Sequence, residues 1–204
     1  MLFRYIDKSK EVETIKQERT EMELKFLKSQ INPHILFNNL NTIYSYSLEK
    51  PDETPDLILK LSDNLKHVLY ESNAEKVPLS KELHFIDNYI EFHKIRTEGI
   101  KEISYTKNVK EVHHKIAPLL LITIIENAFK HSSVNSIIDL SLDVENSQLL
   151  FICKNDYLEQ NSTNNNTIGL TNLRKRLELL YENKHELVID KSSNFNVTIK
   201  LTLI

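Results

Sequence analysis

Three places along the chain carry residues able to do chemistry. The first is His34. From Gln30 to Leu48 there is no Asp, Glu, Lys or Arg, although 27% of the 204 residues are charged. Gln30, His34, Asn38 and Asn41 recur there at helical spacing and so share one face, polar but uncharged. A neutral imidazole is a competent nucleophile near pH 7, since its unperturbed pKa is about 6.5. An amide-lined face lets that ring approach a protein surface or a phosphate without charge repulsion, and Asn38 is placed one turn on to hold it. Even with that uncharged face and Pro33 beside it, His34 reads equally well as a helix-surface histidine of no consequence.

The second place is Glu126-Asn127-Ala128-Phe129-Lys130-His131, which closes an otherwise apolar run. Its polar residues fall at i, i+1, i+4 and i+5, on one side of a helix end. Asn127 offers an amide oxygen that can ligate Mg²⁺. Lys130 can neutralise phosphate charge beside His131, and Glu126 can orient water or an incoming nucleophile. An ordinary helix C-terminus, where cations complement the dipole, accounts for Lys130 and His131. It does not account for Glu126 and Asn127, a polar pair that needs partners when it ends a buried run. The third place is Ile168-Gly169-Leu170-Thr171-Asn172, expected between a loop and a helix. A glycine at such a junction lets backbone amides approach phosphate oxygens, although turn geometry explains one glycine equally well.

These residues need elements to position them. Leu24, Leu27, Ile31 and Ile35, then Leu36, Leu40 and Ile43, predict a long helix over residues 8–48, kinked near Pro33. A turn at 50–54 and the Thr54-Pro55 start predict a second helix to about 72. Such a pair leaves an apolar seam that one chain cannot cover, so pairing with a second copy into a four-helix bundle is expected. A domain boundary is placed between residues 76 and 77. Ser80 is read as the cap of a helix to 97, ended by Gly99. Alternating stretches at 102–106, 137–144, 149–154, 187–189 and 196–203 read as strands, interleaved with helices at 118–131 and 170–181. The expected fold is an antiparallel helical hairpin (1–76) followed by a two-layer α/β sandwich (77–204). Residues 160–167, rich in asparagine, read as a mobile loop.

The composition narrows the partners. A net charge of -3, with no basic block or basic-aromatic interleaving, argues against nucleic acid. The single Cys153 excludes an internal disulfide and fits a reducing compartment, where it reads as a small buried hydrophobe. Arg4 and Asp7 interrupt any signal peptide, and the longest apolar run, 119–125, is too short to cross a bilayer. The chain is expected to behave as a soluble cytoplasmic piece, although Met1-Leu2-Phe3-Arg4-Tyr5 could be the cut end of a membrane helix.

In order, these segments resemble the LytS/YehU-type sensor histidine kinases. Residues 27–41, Leu-Lys-Ser-Gln-Ile-Asn-Pro-His-Ile-Leu-Phe-Asn-Asn-Leu-Asn, look like that family's phosphoacceptor box. Residues 118–131 look like its N box, and 168–177 like its last glycine box and following helix. Tyr89-Ile90-Glu91 through Arg96 is similar to the linking helix. The resemblance implies a dimerisation and phosphotransfer domain followed by a Bergerat-type ATP-binding sandwich. It also implies ATP and Mg²⁺ as cofactors, a homodimer, and a membrane sensor upstream, which would make this piece the cytoplasmic domain of an inner-membrane protein. A response regulator, typically of LytTR type, is the implied phosphate recipient. By position, His34 is the phosphoacceptor and Asn127 the magnesium ligand. Glu126, Lys130 and His131 are their neighbours, and Gly169, Leu170, Thr171 and Asn172 lie on the phosphate side.

The sequence departs from the pattern where related ATPases read adenine with Asp-x-Gly. Here the segment is Cys153-Lys154-Asn155-Asp156-Tyr157, and either Asn155 or Asp156 can accept from the adenine amino group. Thr167 replaces the first glycine of the last box. A dimeric scaffold that binds ATP weakly or without using it is the alternative, and it predicts no label on His34. A zinc enzyme is disfavoured, since no His-Glu-x-x-His motif occurs and the adjacent His113 and His114 should project apart.

Overall fold

The structure is a computed structural model that describes residues 34–133, 135–156, 165–191 and 194–203. The expected helix before residue 34, Gln30, the kink at Pro33 and the loop over 160–164 lie outside the described residues. Helices α1 (His34–Glu49) and α2 (Thr54–Leu69) form a hairpin. Pro55 sits in the first turn of α2, where a missing N–H breaks no helical bond. The Tyr46 hydroxyl donates to Glu53 Oε2 (3.0 Å) and Thr54 Oγ1 donates to the Lys50 carbonyl (3.1 Å), fastening the turn. Tyr46, Leu57 and Leu61 form one buried cluster with Phe92 of α3 (Leu79–Arg96), with Ile43, Leu65 and Ile95 packed against it. The Lys60–Glu91 ion pair ties α2 to α3 at the rim. The other side of the hairpin keeps Leu40, Tyr44, Leu48, Ile58, Leu59 and Leu69 exposed.

A 3₁₀ turn (Glu71–Asn73) leads to β1 (Val77–Pro78), and α3 begins at once. Then follow β2 (Glu102–Val109), β3 (Lys115–Ile116), α4 (Ile122–His131), β4 (Ile137–Glu145), β5 (Gln148–Asn155), α5 (Asn165–Leu180), β6 (His185–Asp190) and β7 (Phe195–Thr202). β1 and β3 pair antiparallel. The other strands make one sheet in the order β2-β4-β5-β7-β6. Strict alternation puts Ile138, Leu140, Leu142 and Val144 of β4 on the buried face, with Leu149, Phe151 and Cys153 of β5 and Val197, Ile199 and Leu201 of β7. The buried sides of α4 (Ile122, Ile124, Ile125, Ala128) and α5 (Leu173, Leu177) complete that core. The expected class, helical hairpin followed by two-layer α/β sandwich, is the one observed. Residues 33–204 form one compact unit.

Several local expectations are corrected. Ser80 is not a cap: Pro78 holds that position without a side-chain bond, and Ser80 is exposed in the first turn. Glu53, not Thr54, precedes α2. Residues 118–121 are not helical, because Leu119 takes a left-handed φ of 58° and α4 starts only at Ile122. β2 pairs parallel with β4, so this edge is a crossover rather than a hairpin. The two-residue strands β1 and β3 are too short to leave a periodic signal.

Candidate functional site

The C-terminal half of α4 brings Glu126, Asn127, Lys130 and His131 together as the spacing requires. Ile124, Ile125, Ala128 and Phe129 anchor the opposite side in the core. The helix end is capped from outside: Lys101 Nζ donates to the carbonyls of Phe129 (3.3 Å) and Ser132 (3.1 Å) and to Ser132 Oγ (2.6 Å). It thereby satisfies carbonyl groups that a helix terminus otherwise leaves open. From α3, the His93 ring stacks on Phe129 with centroids 3.9 Å apart and planes 11° from parallel. His93 Nδ1 accepts from an Arg96 guanidinium nitrogen at 2.9 Å. Burial, helped by Arg96 and Lys101, drives the His93 pKa down to about 3, so this ring is neutral.

Glu126 is the unusual member. Burial pushes its carboxyl up to about 7, and Lys130 one turn on opposes this only in part. Its Oε1 is buried with no hydrogen-bond partner among the described residues. The same carboxyl helps raise Tyr89, whose phenol burial already holds far above its usual range. Lys130 is exposed, Asn127 and His131 are half-buried, and burial lowers the His131 pKa. An acid poised near neutrality beside an amide, a lysine and a histidine is a set suited to proton and phosphate chemistry.

Asn155 and Asp156 end the central strand β5, and the structure separates them. The Asp156 Oδ2 accepts from the Ile137 backbone at 3.3 Å, closing the start of β4. Asn155 is 2% exposed, and its amide donates to the Asp156 carbonyl at 3.0 Å. Its Oδ1 is left buried without a partner among the described residues. Two orphaned acceptors, on Glu126 and Asn155, fit a bound group that supplies donors or cations.

Gly169 is not at a loop-to-helix junction. α5 begins at Asn165, so Gly169 lies inside the helix, where an added Cβ would come within 3.9 Å of Thr123 Cγ2 of α4. Leu170 and Asn172 are half-buried and Thr171 is exposed on the same helix. Sequence reading passed over Arg176, which is 2% exposed and bonds the backbone just ahead of α4. Its signal was present, since Leu173, Arg176, Leu177 and Leu180 follow the spacing of one helical face. His34 and Asn38 lie on α1, in helical register with Asn41, which is exposed.

The structure brings Glu111, His113 and His114 together, with ligand atoms within 4.8 Å, because that segment is neither helix nor strand. Adjacency therefore does not drive the two rings apart. Glu111 is already engaged by His114 Nε2 (2.7 Å) and the Ser147 amide (3.2 Å).

The arrangement is a helical hairpin leading into a mixed five-stranded sheet, with a Glu-Asn pair in the middle of α4. Residues 22–100 match the histidine kinase family. The chain is 29% identical over 183 residues to sensor histidine kinase YpdA of Escherichia coli (strain K12), covering 83% of this chain and 32% of that protein. It is 27% identical over 206 residues to sensor protein kinase HptS of Staphylococcus aureus (strain bovine RF122 / ET3-1), covering 92% and 39%. Against sensor protein LytS of Bacillus subtilis (strain 168) it is 32% identical over 112 residues, covering 55% and 19%. The chain is similar to these sensor kinases, and it spans well under half of their length. Solved structures with a similar fold include the catalytic domain of histidine kinase ThkA (TM-score 0.45, 14% identity, 62% of this chain and 93% of that one). Another is the histidine kinase domain of Erythrobacter litoralis EL346 (TM-score 0.46, 16% identity, 92% and 94%).

Proposed function

We propose that this chain is the kinase core of a two-component sensor, transferring the γ-phosphoryl group of ATP to His34 and then to an aspartate of a response regulator. The observation that carries the reading is the half-buried Glu126 beside Asn127 in α4, whose Oε1 is buried with no hydrogen-bond partner among the described residues. No such pair is needed to hold a sandwich together, and leaving it buried costs stability. Asn127 is the residue to hold Mg²⁺, which would neutralise phosphate charge when bound, and Lys130 and His131 are placed to assist. Asn155, with a free carbonyl where Asp156 is already spent, is the better acceptor for the adenine amino group. Residues 169–172 of α5 belong to the phosphate side.

In the transfer, an imidazole nitrogen of His34 forms a bond to phosphorus as the bond to the β-phosphate oxygen breaks, releasing ADP. The proton of the other ring nitrogen is then lost. Asn38 holds the ring, and Glu126 orients the incoming imidazole. The exposed apolar residues of the hairpin support pairing with a second copy, with residues 1–76 as dimerisation and phosphotransfer domain and 77–204 as ATP-binding domain. This reading expects a membrane sensor region upstream and a LytTR-type regulator downstream; the similarity to sensor kinases supports the sensor role.

The test is incubation with labelled ATP and Mg²⁺, comparing wild type with His34→Gln. Acid-labile, alkali-stable label on the wild type alone is expected. A scaffold that binds nucleotide without using it is favoured by one observation: Gly169 lies inside α5 rather than at an open helix start where backbone amides could meet phosphate. Nucleotide binding with no label on His34 would select that reading.

A further inference from the structure

Residues 111–114 link β2 to β3 and lie outside the candidate site. Glu111, His113 and His114 each bring one ligand atom there, and these atoms all lie within 4.8 Å of one another. Other elements hold two of the three in place. His114 is 5% exposed, and its backbone carbonyl accepts from the Leu79 amide (2.8 Å) at the start of α3. Its Nε2 donates to Glu111 Oε2 at 2.7 Å, and the same oxygen accepts from the Ser147 amide at 3.2 Å. Ser147 belongs to the β4–β5 turn, where Asn146 and Ser147 take left-handed φ of 52° and 59°. The Ser147 carbonyl accepts in turn from the Leu203 amide at 2.7 Å, just past β7.

An ion pair between Glu111 and His114 accounts for two of these residues and does not call for the third. His113 is exposed, yet its ring centroid stands 4.3 Å from that of His114, with the planes 38° apart. Both hydrogen bonds to Glu111 end on Oε2 and use neither lone pair of Oε1. Two imidazoles and a carboxylate are donors that suit a borderline-soft divalent ion such as Zn²⁺, whereas Mg²⁺ prefers oxygen ligands and water. Tetrahedral zinc, with bonds of about 2.0–2.2 Å, sets its ligand atoms roughly 3.3–3.6 Å apart. The spread of up to 4.8 Å closes by rotation of the exposed His113 and half-buried Glu111 side chains, while buried His114 stays in place. An ion held through Oε1 leaves the Ser147 bond on Oε2 intact.

We propose that Glu111, His113 and His114 form a binding site for a divalent cation of the Zn²⁺ class, fastening the 111–114 loop to the β4–β5 turn and the start of α3. The ion takes the place of the proton on His114 Nε2, and the ring turns to its Nδ1–H tautomer. Three protein ligands leave at least one position for water. The site shares no residue with the cluster on α4, and it does not rest on the phosphotransfer reading. An ion that binds the folded chain alone stabilises it by mass action, so zinc here acts as a staple between segments distant in sequence.

The test is titration of the whole chain, free of nucleotide, with Zn²⁺ alone, read by calorimetry and by the histidine ring resonances. One ion per chain is expected at the tightest step, with the His113 and His114 rings shifting and those of His84 and His131 unmoved. His113→Ala, at an exposed ring, should weaken that step by more than the roughly 10–100-fold that losing an outer-shell partner costs. His84→Ala, which removes another exposed histidine, should leave it unchanged. Zn²⁺ should also slow exchange of the Ser147 and Leu79 amides in the wild type and not in His113→Ala. Glu111→Gln should weaken binding as well; if it does not fold, His113→Ala alone decides. Absence of binding, shifts centred on His84 or His131, or a tightest step that His113→Ala leaves untouched (an adventitious ion only) would overturn the proposal.

Discussion

At the scale of single residues, Glu126 is the most informative group, because its surroundings raise its pKa to the working range. A carboxyl displaced from 4.5 to about 7 is neutral below that value and ionised above it. If the carboxylate orients the His34 imidazole, labelling should rise with pH through about 7. Glu126→Gln should flatten that limb and slow labelling by roughly 10²–10⁴-fold. Initial rates across pH 5.5–8.5 (about three units, spanning the usual range of His and shifted Glu titration) check this. Asn155 gives a second prediction at this scale. Asn155→Leu keeps the volume but removes the free carbonyl, so ATP affinity should fall about tenfold while preference over GTP disappears. Competition binding with the two nucleotides reads it. Much of this was legible in the sequence: the helix period alone put Glu126, Asn127, Lys130 and His131 on one side. Arg176 was not, because three cations among 174–176 look like a solvated face until the leucines at 173 and 177 are read with them.

At the scale of elements, periodic stretches were placed well and irregular ones were not. β4, β5 and β7 show clean alternation because one face is buried and the other half-exposed. The start of α4 was misjudged because residues 118–121 are apolar for a different reason: they fill the core as a turn, with side chains 0–1% exposed at Leu119, Leu120 and Leu121. The start of α5 was misjudged because glycine and asparagine favour loops locally, whereas the packing of α5 against α4, with Leu173 and Leu177 buried, overrides that preference. Lys101 ties α4 down from a neighbouring element that local sequence does not connect to it. Lys101→Met should leave its carbonyl acceptors open, destabilising the fold by about 1–3 kcal/mol with faster exchange confined to the last turn of α4. In the hairpin, Leu61→Ala removes a side chain 6% exposed from the cluster with Tyr46, Leu57 and Phe92. A loss of about 2–5 kcal/mol in urea unfolding is expected.

At the scale of the whole molecule, two buried histidines give stability opposite dependences on pH. Burial alone would lower the His67 pKa, but Glu82 and Glu71 raise it above the unfolded value of 6.5. Its contribution is complete below 6.5 and is lost as pH rises through the folded value. His93, lowered to about 3, behaves in reverse: its folded form is neutral, so stability falls as pH drops from 6.5 toward 3. Urea midpoints against pH should therefore show a flatter acid limb in His93→Gln. The loss in His67→Gln should be largest below pH 6.5 and shrink above it.

The sheet carries one more consequence, for how the chain assembles. β4, β5, β7 and β6 are joined as antiparallel neighbours, whereas β2 lies parallel on the outer side of β4 and reaches it only across β3 and α4. Closing that long crossover costs more chain entropy than turning a hairpin, and β2 brings few buried side chains in return. The outermost parallel strand should dock last on refolding and be the first stretch of sheet to let go under mild denaturant. Its amides should exchange ahead of those in β5 and β7, which sit inside the sheet.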